Sequence, residues 1–341
     1  MKSVRQNVVL MLLGILLAFL VLEAMVRIVV PPPTALPTFD RSAAFYLPDR
    51  QSSRDHGEAA TDPLRIAVIG DSFTKGVGVQ TYDRYADRME WLFNLNRNTR
   101  PVKIRVFDKA GTSTFQQISL LEQALAWKSE LIILGVVLND TEDHTRPHEI
   151  ARHRVGTYPP PPPAWLTPWR TGSLLYSRWS AGRSRTNFTE YYRWLIDEEY
   201  SGWKRYTKTV SAMKRMCDLQ GATLLAVIFP LMSHDLRPGR YPFIENHERM
   251  AKPFNDEGIP VVDLLEPFTG MSPARMQAIP AVDPHPSEIA HRIAAEAVFD
   301  ALLSRGLVSR GYRPRLRKEH TLPKIWKQNW ERIHGAAKPA P

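Results

Sequence analysis

The sequence predicts a doubly wound α/β/α domain, three layers around a parallel sheet, preceded by one N-terminal transmembrane helix. Three observations predict it. Short runs rich in Val, Ile and Leu alternate with longer helical patterns along most of the chain, the rhythm of consecutive βαβ units. Those runs are almost continuously apolar instead of alternating, as in strands covered by helices on both faces. Ahead of them, Val8–Leu22 is an unbroken apolar stretch that continues past Glu23 and Arg27 to Val30.

The first element is the apolar N-terminal segment. Lys2 and Arg5 precede it and Pro31-Pro32-Pro33 ends it, because proline cannot continue a helix. Val8–Val30 is long enough to span a bilayer, and Glu23 and Arg27 are one helical turn apart, so they can pair. Leu22-Glu23-Ala24 places a large residue where a signal-peptide cleavage site prefers a small one, so the segment reads as an uncleaved anchor, with a cleaved signal peptide and a buried core helix as the alternatives. The basic residues before it predict a cytoplasmic amino terminus and an extracytoplasmic remainder. The anchor is assigned to residues 1–33 and a Pro-, Ser- and Arg-rich linker to 34–61.

The domain itself is assigned to residues 62–305. Strands are expected at Leu64–Ile69, Val102–Phe107, Leu131–Val137, Thr223–Phe229 and Ile259–Val262. Helices are expected at about Arg84–Leu95, Thr114–Lys128, Gly202–Leu219, Pro242–Asn255 and Ser287–Ser304. An insertion over 141–200 interrupts the rhythm with Pro159–Pro163 and then Trp165, Trp169, Tyr176, Trp179, Phe188, Tyr191, Tyr192 and Trp194. So long an interruption reads as a lid or binding loop leaving the carboxyl edge of the sheet. Its rings either pack a small core of their own or stack on sugar faces.

Charge and cysteine usage narrow the function classes. The chain carries a formal net charge of +10, but about +8 of it lies beyond Ser304, from Arg305 to Pro341. A nucleic-acid domain would spread basic residues over a folded face, so no nucleic-acid partner is expected. The tail, residues 306–341 with Trp326 and Trp330, suits anionic lipid or an acidic polymer, or is a solubilising terminus. Cys217 is the sole cysteine, so no intrachain disulfide can form, and its Met- and Leu-rich surroundings make it core filler. His144, His148 and His153 form a loose cluster without a distinctive metal-ligand spacing.

Four short blocks carry the chemistry. Ser72, in Gly70-Asp71-Ser72-Phe73, follows the first strand, where its hydroxyl is presented at the carboxyl edge of the sheet. The Walker pattern fails around it because Lys75 precedes Gly76, and the Gly-x-Ser-x-Gly elbow fails at Thr74. A serine hydroxyl needs a base, and His285 is the best placed histidine, flanked by Pro284 and Pro286 before the last helix. Asp283 stands two residues before it, where a carboxylate can hold the imidazole in the tautomer that accepts the serine proton. Gly111, after the second strand, can offer a backbone N–H, and Asn139, after the third, a side-chain amide, to a developing oxyanion. Asp283 and Ser287 could instead be no more than capping residues of the last helix.

These blocks resemble those of the SGNH, or GDSL-type, hydrolases: Ser72 in the first, Gly111 in the second, Asn139 with Asp140 in the third, and Asp283 with His285 in the last. The resemblance spans about Leu64 to Ser304. It implies a flavodoxin-like fold, ester hydrolysis through an acyl-serine intermediate, and no metal or organic cofactor. Three departures stand out. One residue, not two, separates Asp283 from His285; Lys109 stands where the second block often has Asn; and Gly135 lies one or two residues too far from Asn139 to be assigned a role.

The function expected from the sequence is a membrane-anchored, periplasmic esterase that removes an acyl group, acetyl first, from a carbohydrate or envelope polysaccharide. Transfer of the acyl group to a polysaccharide hydroxyl is the alternative within the same chemistry. A catalytically inactive glycan-binding or scaffolding protein is the alternative outside it.

Overall fold

In the computed structural model the five apolar runs form one sheet, and the described residues are 2–30, 62–95, 99–237, 239–280 and 283–313. The linker over 34–61 and nearly all of the basic tail, with Trp326 and Trp330, lie outside them. The strands are β1 (Leu64–Gly70), β2 (Val102–Asp108), β3 (Leu131–Val137), β4 (Thr223–Phe229) and β5 (Val261–Asp263). They lie in the order β2-β1-β3-β4-β5, all parallel. This is the flavodoxin-like order, whose topological switch point falls between β1 and β3. The fifth strand begins two residues later than expected. Pro260 has no N–H to give the ladder, although its carbonyl accepts from Ala226 N (3.0 Å).

Ile66, Ala67 and Val68 are all fully buried although consecutive side chains point to opposite faces. Both faces are therefore covered at β1, as its apolar run predicts, whereas the edge strand β2 departs from that expectation: its side chains alternate, and Lys103 and Arg105 are exposed. Burial of each such Val, Ile or Leu side chain contributes about 1.5–3 kcal/mol. The covering helices include α3 (Tyr85–Phe93), α4 (Ile118–Ala126), α7 (Ser201–Leu219), α8 (Ile244–Asp256) and α11 (Glu288–Ser304). A four-residue turn of helix, α2 (Ser72–Lys75), directly follows β1. The fold continues beyond Arg305, where a tail was expected to begin. Tyr312 is buried against Phe93, with ring centroids 5.2 Å apart, and its hydroxyl donates to Arg100 O (2.8 Å).

The insertion is helical. After β3 come α5 (Pro147–Arg154) and the 26-residue α6 (Arg170–Leu195), with the proline run between them. The rings of its C-terminal half pack: Tyr191 and Tyr192 are buried, and Phe188 lies against Tyr192, Phe243 and His234, while Trp165, Trp169 and Trp179 stay exposed. The N-terminal segment is one helix, α1 (Lys2–Val29), and Gln6–Val29 is long and apolar enough to cross a membrane. Unlike a core helix, α1 leaves its apolar side chains exposed along nearly its whole length.

Candidate active site

The end of β1 brings Ser72 to the carboxyl edge of the sheet. Asp71 caps α2, its Oδ1 accepting Phe73 N–H (2.9 Å), and the hydroxyl of Ser72 donates to its Oδ2 (3.4 Å). The turn can press so close to the sheet because two glycines make room for Thr74. A Cβ at Gly70 would stand 2.1 Å from Thr74 Oγ1, and one at Gly135 would stand 2.4 Å from it. Thr74 Oγ1 is thereby buried and shares a hydrogen bond with the Tyr85 hydroxyl (3.0 Å). Gly135 therefore has a packing role on β3 that its distance from Asn139 conceals.

His285 arrives differently from the sequence expectation. Instead of a loop opening the last helix, residues 283–286 form a strand, β7 (Asp283–Pro286), paired antiparallel with β6 (Gln277–Ile279) after the short α9 (Leu265–Phe268) and α10 (Pro273–Met276). Asp283 precedes Pro284 and His285 precedes Pro286, and a residue before proline is driven to extended backbone. Residues i and i+2 of a strand share a face, so the Asp283 carboxylate reaches the imidazole across a single intervening residue. Nδ1 of His285 and Oδ1 of Asp283 are 2.6 Å apart, and the same oxygen accepts His285 N–H (3.0 Å). With Nδ1–H donating to the carboxylate, Nε2 is the nitrogen left to accept a proton.

The ribbon is seated on the serine turn. Gly78, in the loop leaving α2, has φ +88°, and a Cβ there would lie 2.6 Å from Ala278 Cβ on β6. α2 touches β7, and the ring of Phe73, next to Ser72, lies 5.5 Å from the His285 ring. His285 thus borders the turn that carries Ser72. The serine hydroxyl donates to Asp71 and not to the imidazole. Such bonds are often loose before substrate arrives.

Gly111 and Asn139 leave the neighbouring strands on either side of β1. Lys109 N–H donates to Gly70 O (3.1 Å), tying the end of β2 to that of β1. Gly111 has φ +71°, which favours glycine, and a Cβ there would meet nothing within 4 Å. Among the described residues its N–H has no partner. The segment Asn139–Asp143 is held on all sides: Thr114 N–H donates to Asp140 O (3.1 Å), the Ser113 hydroxyl to Glu142 O (2.5 Å), and the Tyr191 hydroxyl of α6 to Glu142 Oε1 (2.6 Å). Arg205 of α7 pairs with Asp143 (2.8 Å). Ser72, Gly111, Asn139 and His285 all reach the surface.

Behind these groups lie two buried carboxyls to which the sequence reading assigned no role. Burial pushes the Asp71 carboxyl up to about 6, against the opposing pull of Phe73 N–H and of nearby His285. Burial, and then the charge of Asp71, hold Asp140 well above its usual range; its Oδ2 accepts from the Thr114 hydroxyl (3.1 Å) and, among the described residues, its Oδ1 has no hydrogen-bond partner. Their signal in the sequence was an aspartate beside each of Ser72 and Asn139, within three residues of the end of a strand rich in Ile, Leu and Val. His144, His148 and His153 do not come together: His153 stacks on Trp194 with centroids 3.9 Å apart, and among the described residues no three His, Cys, Asp or Glu side chains are grouped as a metal site needs. Cys217 is buried, and burial pushes its thiol up to about 12.

No family model matches the chain, and no curated protein matches it. Among solved structures, the chain is similar to TesA at 17% identity over 70% of this chain and 98% of that one, with a TM-score of 0.43. It is similar to a putative lipolytic protein of the G-D-S-L family from Desulfitobacterium hafniense DCB-2 at 13% identity, over 70% and 99% of the two chains, TM-score 0.42. It is also similar to a catalytic mutant of Axe2, an acetylxylan esterase from Geobacillus stearothermophilus, at 13% identity over 69% and 92%, TM-score 0.42.

Proposed function

We propose that the chain is an SGNH-type serine hydrolase that cleaves an acyl ester through an acyl-serine intermediate. The observation that carries the reading is the 2.6 Å contact between Asp283 Oδ1 and His285 Nδ1 on a ribbon seated against the Ser72 turn. In this reading Ser72 Oγ attacks the ester carbonyl while its proton passes to His285 Nε2, and the carboxylate of Asp283 stabilises the imidazolium. The oxyanion of the tetrahedral intermediate takes hydrogen bonds from the backbone N–H groups of Ser72 and Gly111 and from the Asn139 amide. On collapse the imidazolium returns its proton to the departing alkoxide. Water then attacks the acyl-serine by the same route, releasing the acid and restoring the hydroxyl. The substrate we place here is a small ester, acetyl first, on an envelope carbohydrate, with α1 as the anchor and the domain outside the membrane.

The full chain in detergent micelles should release acid from a small aryl acetate, and Ser72→Ala should lower the rate by ~10⁴-fold or more. Undiminished hydrolysis by that variant rejects the assignment. Acetylated xylan and acetylated mannan, assayed beside long-chain aryl esters, would test the substrate class: faster turnover of the long-chain esters would turn the reading toward a lipase.

A further inference from the structure

The joint between α1 and the insertion is capped in both directions. Glu23 of α1 accepts the backbone N–H groups of Arg170 (2.9 Å) and Thr171 (2.8 Å). Its carboxylate thus fills donors that the N-terminus of α6 leaves open and that Trp169, at the cap position, does not satisfy with its side chain. In return Arg170 donates to the carbonyls of Arg27 (3.2 Å) and Val30 (3.1 Å), at the end of α1 where backbone acceptors lack helical partners. Arg27 adds a pair with Glu23 (2.8 Å) and a bond to Pro168 O (2.7 Å). Deeper along α1, Trp169 lies on Phe19, with centroids 5.3 Å apart. Phe19 stands roughly 15 Å before the last residue of α1. A segment that reaches it follows a spanning helix into the leaflet.

What this segment shows to its surroundings fits lipid. Trp165, Leu175 and Trp179 are 74%, 62% and 58% exposed, and Trp169 is exposed beside them. Leu175 and Trp179 are four apart on α6, so they share one stripe, which Arg183 continues with its guanidinium 5.8 Å from the Trp179 ring. From Ala164 to Arg185 the charged residues are Arg170, Arg178, Arg183 and Arg185, with no acid among them. Tryptophan with leucine, flanked only by arginine, is the composition of an element lying at the boundary between acyl chains and anionic headgroups. From these observations, and on the reading that α1 spans a membrane, we propose that Trp165–Trp179 is a second membrane-contacting element. It seats in the leaflet from which α1 emerges, its tryptophans and Leu175 at the acyl boundary and Arg178 and Arg183 on anionic phospholipid headgroups.

The test uses the full chain in vesicles of phosphatidylcholine and phosphatidylglycerol. Cys217 is buried, so an environment-sensitive label can be placed at Leu175→Cys, with Leu16→Cys reporting the span and Leu219→Cys, fully outside it, reporting water. Labels at 16 and 175 should both be quenched by lipid-borne nitroxide and shielded from aqueous iodide, and the label at 219 should behave oppositely. Adding Arg178→Glu and Arg183→Glu should weaken quenching at 175 and leave it unchanged at 16. Lipid quenching at 16 with iodide access at 175 overturns the second contact and leaves the anchor standing; iodide access at both overturns both. Shielding at 175 that persists without lipid and grows with protein concentration would mean that a second copy covers this face, and that shielding which appears only with added acetylated glycan would mean a sugar site. Either result overturns the proposal.

Discussion

Asp283 and His285 face one another because each precedes a proline and the four residues are extended. The shortened spacing between carboxylate and imidazole is therefore the spacing a strand requires, where a helical turn or open loop would need another. Asp283→Asn should leave the fold intact and lower kcat by ~10²–10⁴-fold, since an amide can hold the imidazole in the wrong tautomer; steady-state kinetics with a thermal melt beside it checks this. Asn139→Ala should cost about 10²–10³-fold in kcat with little change in KM. Asp71 bears on stability as well. Its carboxyl is raised from 3.8 to about 6 by burial, so the folded state binds the proton more tightly than the unfolded chain. That stabilisation is fully present below about pH 4 and is lost as pH rises through about 6. Asp71→Asn, which keeps an acceptor for Phe73 N–H, should remove on the order of 2–3 kcal/mol of this pH dependence. Melting temperatures of both proteins between pH 4 and 7 would show it, Asp140 contributing a slope of the same sign in each.

Two elements, the serine turn and the histidine ribbon, fit together through places where a side chain is missing. Gly78→Ala puts a methyl group 2.6 Å from Ala278 Cβ at a φ of +88°, so the ribbon must lift from the turn. The variant should lose about 1–3 kcal/mol of stability and a larger share of kcat than of KM. Gly135→Ala crowds Thr74 in the same way, and Thr74→Ala combined with it should be less destabilised than the two single changes added together, as equilibrium unfolding would reveal. The position and type of β1, β3 and β4 were legible in the sequence, since an apolar run of five to seven residues between turn signals has few other uses, and β2 was legible from Val102, Ile104 and Val106 alternating with Lys103 and Arg105. The ribbon was not. Gln277–Ile279 and Asp283–Pro286 are too short and too proline-rich to carry an alternating pattern. Nor was α6: its sequence is mostly polar with apolar residues on more than one side, because its contacts change from α1 at one end to the domain at the other.

For the molecule as a whole, the parallel sheet followed from the alternation of elements and its flavodoxin-like arrangement from the family resemblance, and the blocks bearing Ser72, Gly111 and Asn139 leave the ends of three adjacent strands. What stayed hidden was every contact between residues distant in sequence with no motif to announce them: Glu23 with Arg170, Glu142 with Tyr191, Tyr312 with Phe93. Glu23 invited a local reading, a pair with Arg27 one turn away, and that pair exists, but it is the smaller part of what the carboxylate does. Glu23→Gln, which keeps one acceptor and removes the charge, should loosen the joint; amide hydrogen exchange at Arg170 and Thr171 should quicken while that of the sheet strands stays unchanged.

α6 is clasped to α1 at Arg170 and to the loop beside Asn139 at Tyr191. The contour between those two residues is about 32 Å of helix, and a helix, unlike a linker, neither coils nor stretches. On the proposed function, the Ser72 site is thus held on a rigid stalk, with a reach set by counting residues. On that reading, with α1 as the anchor, esters carried within that radius would be served in place, and those on longer chains would have to bend back to be cut.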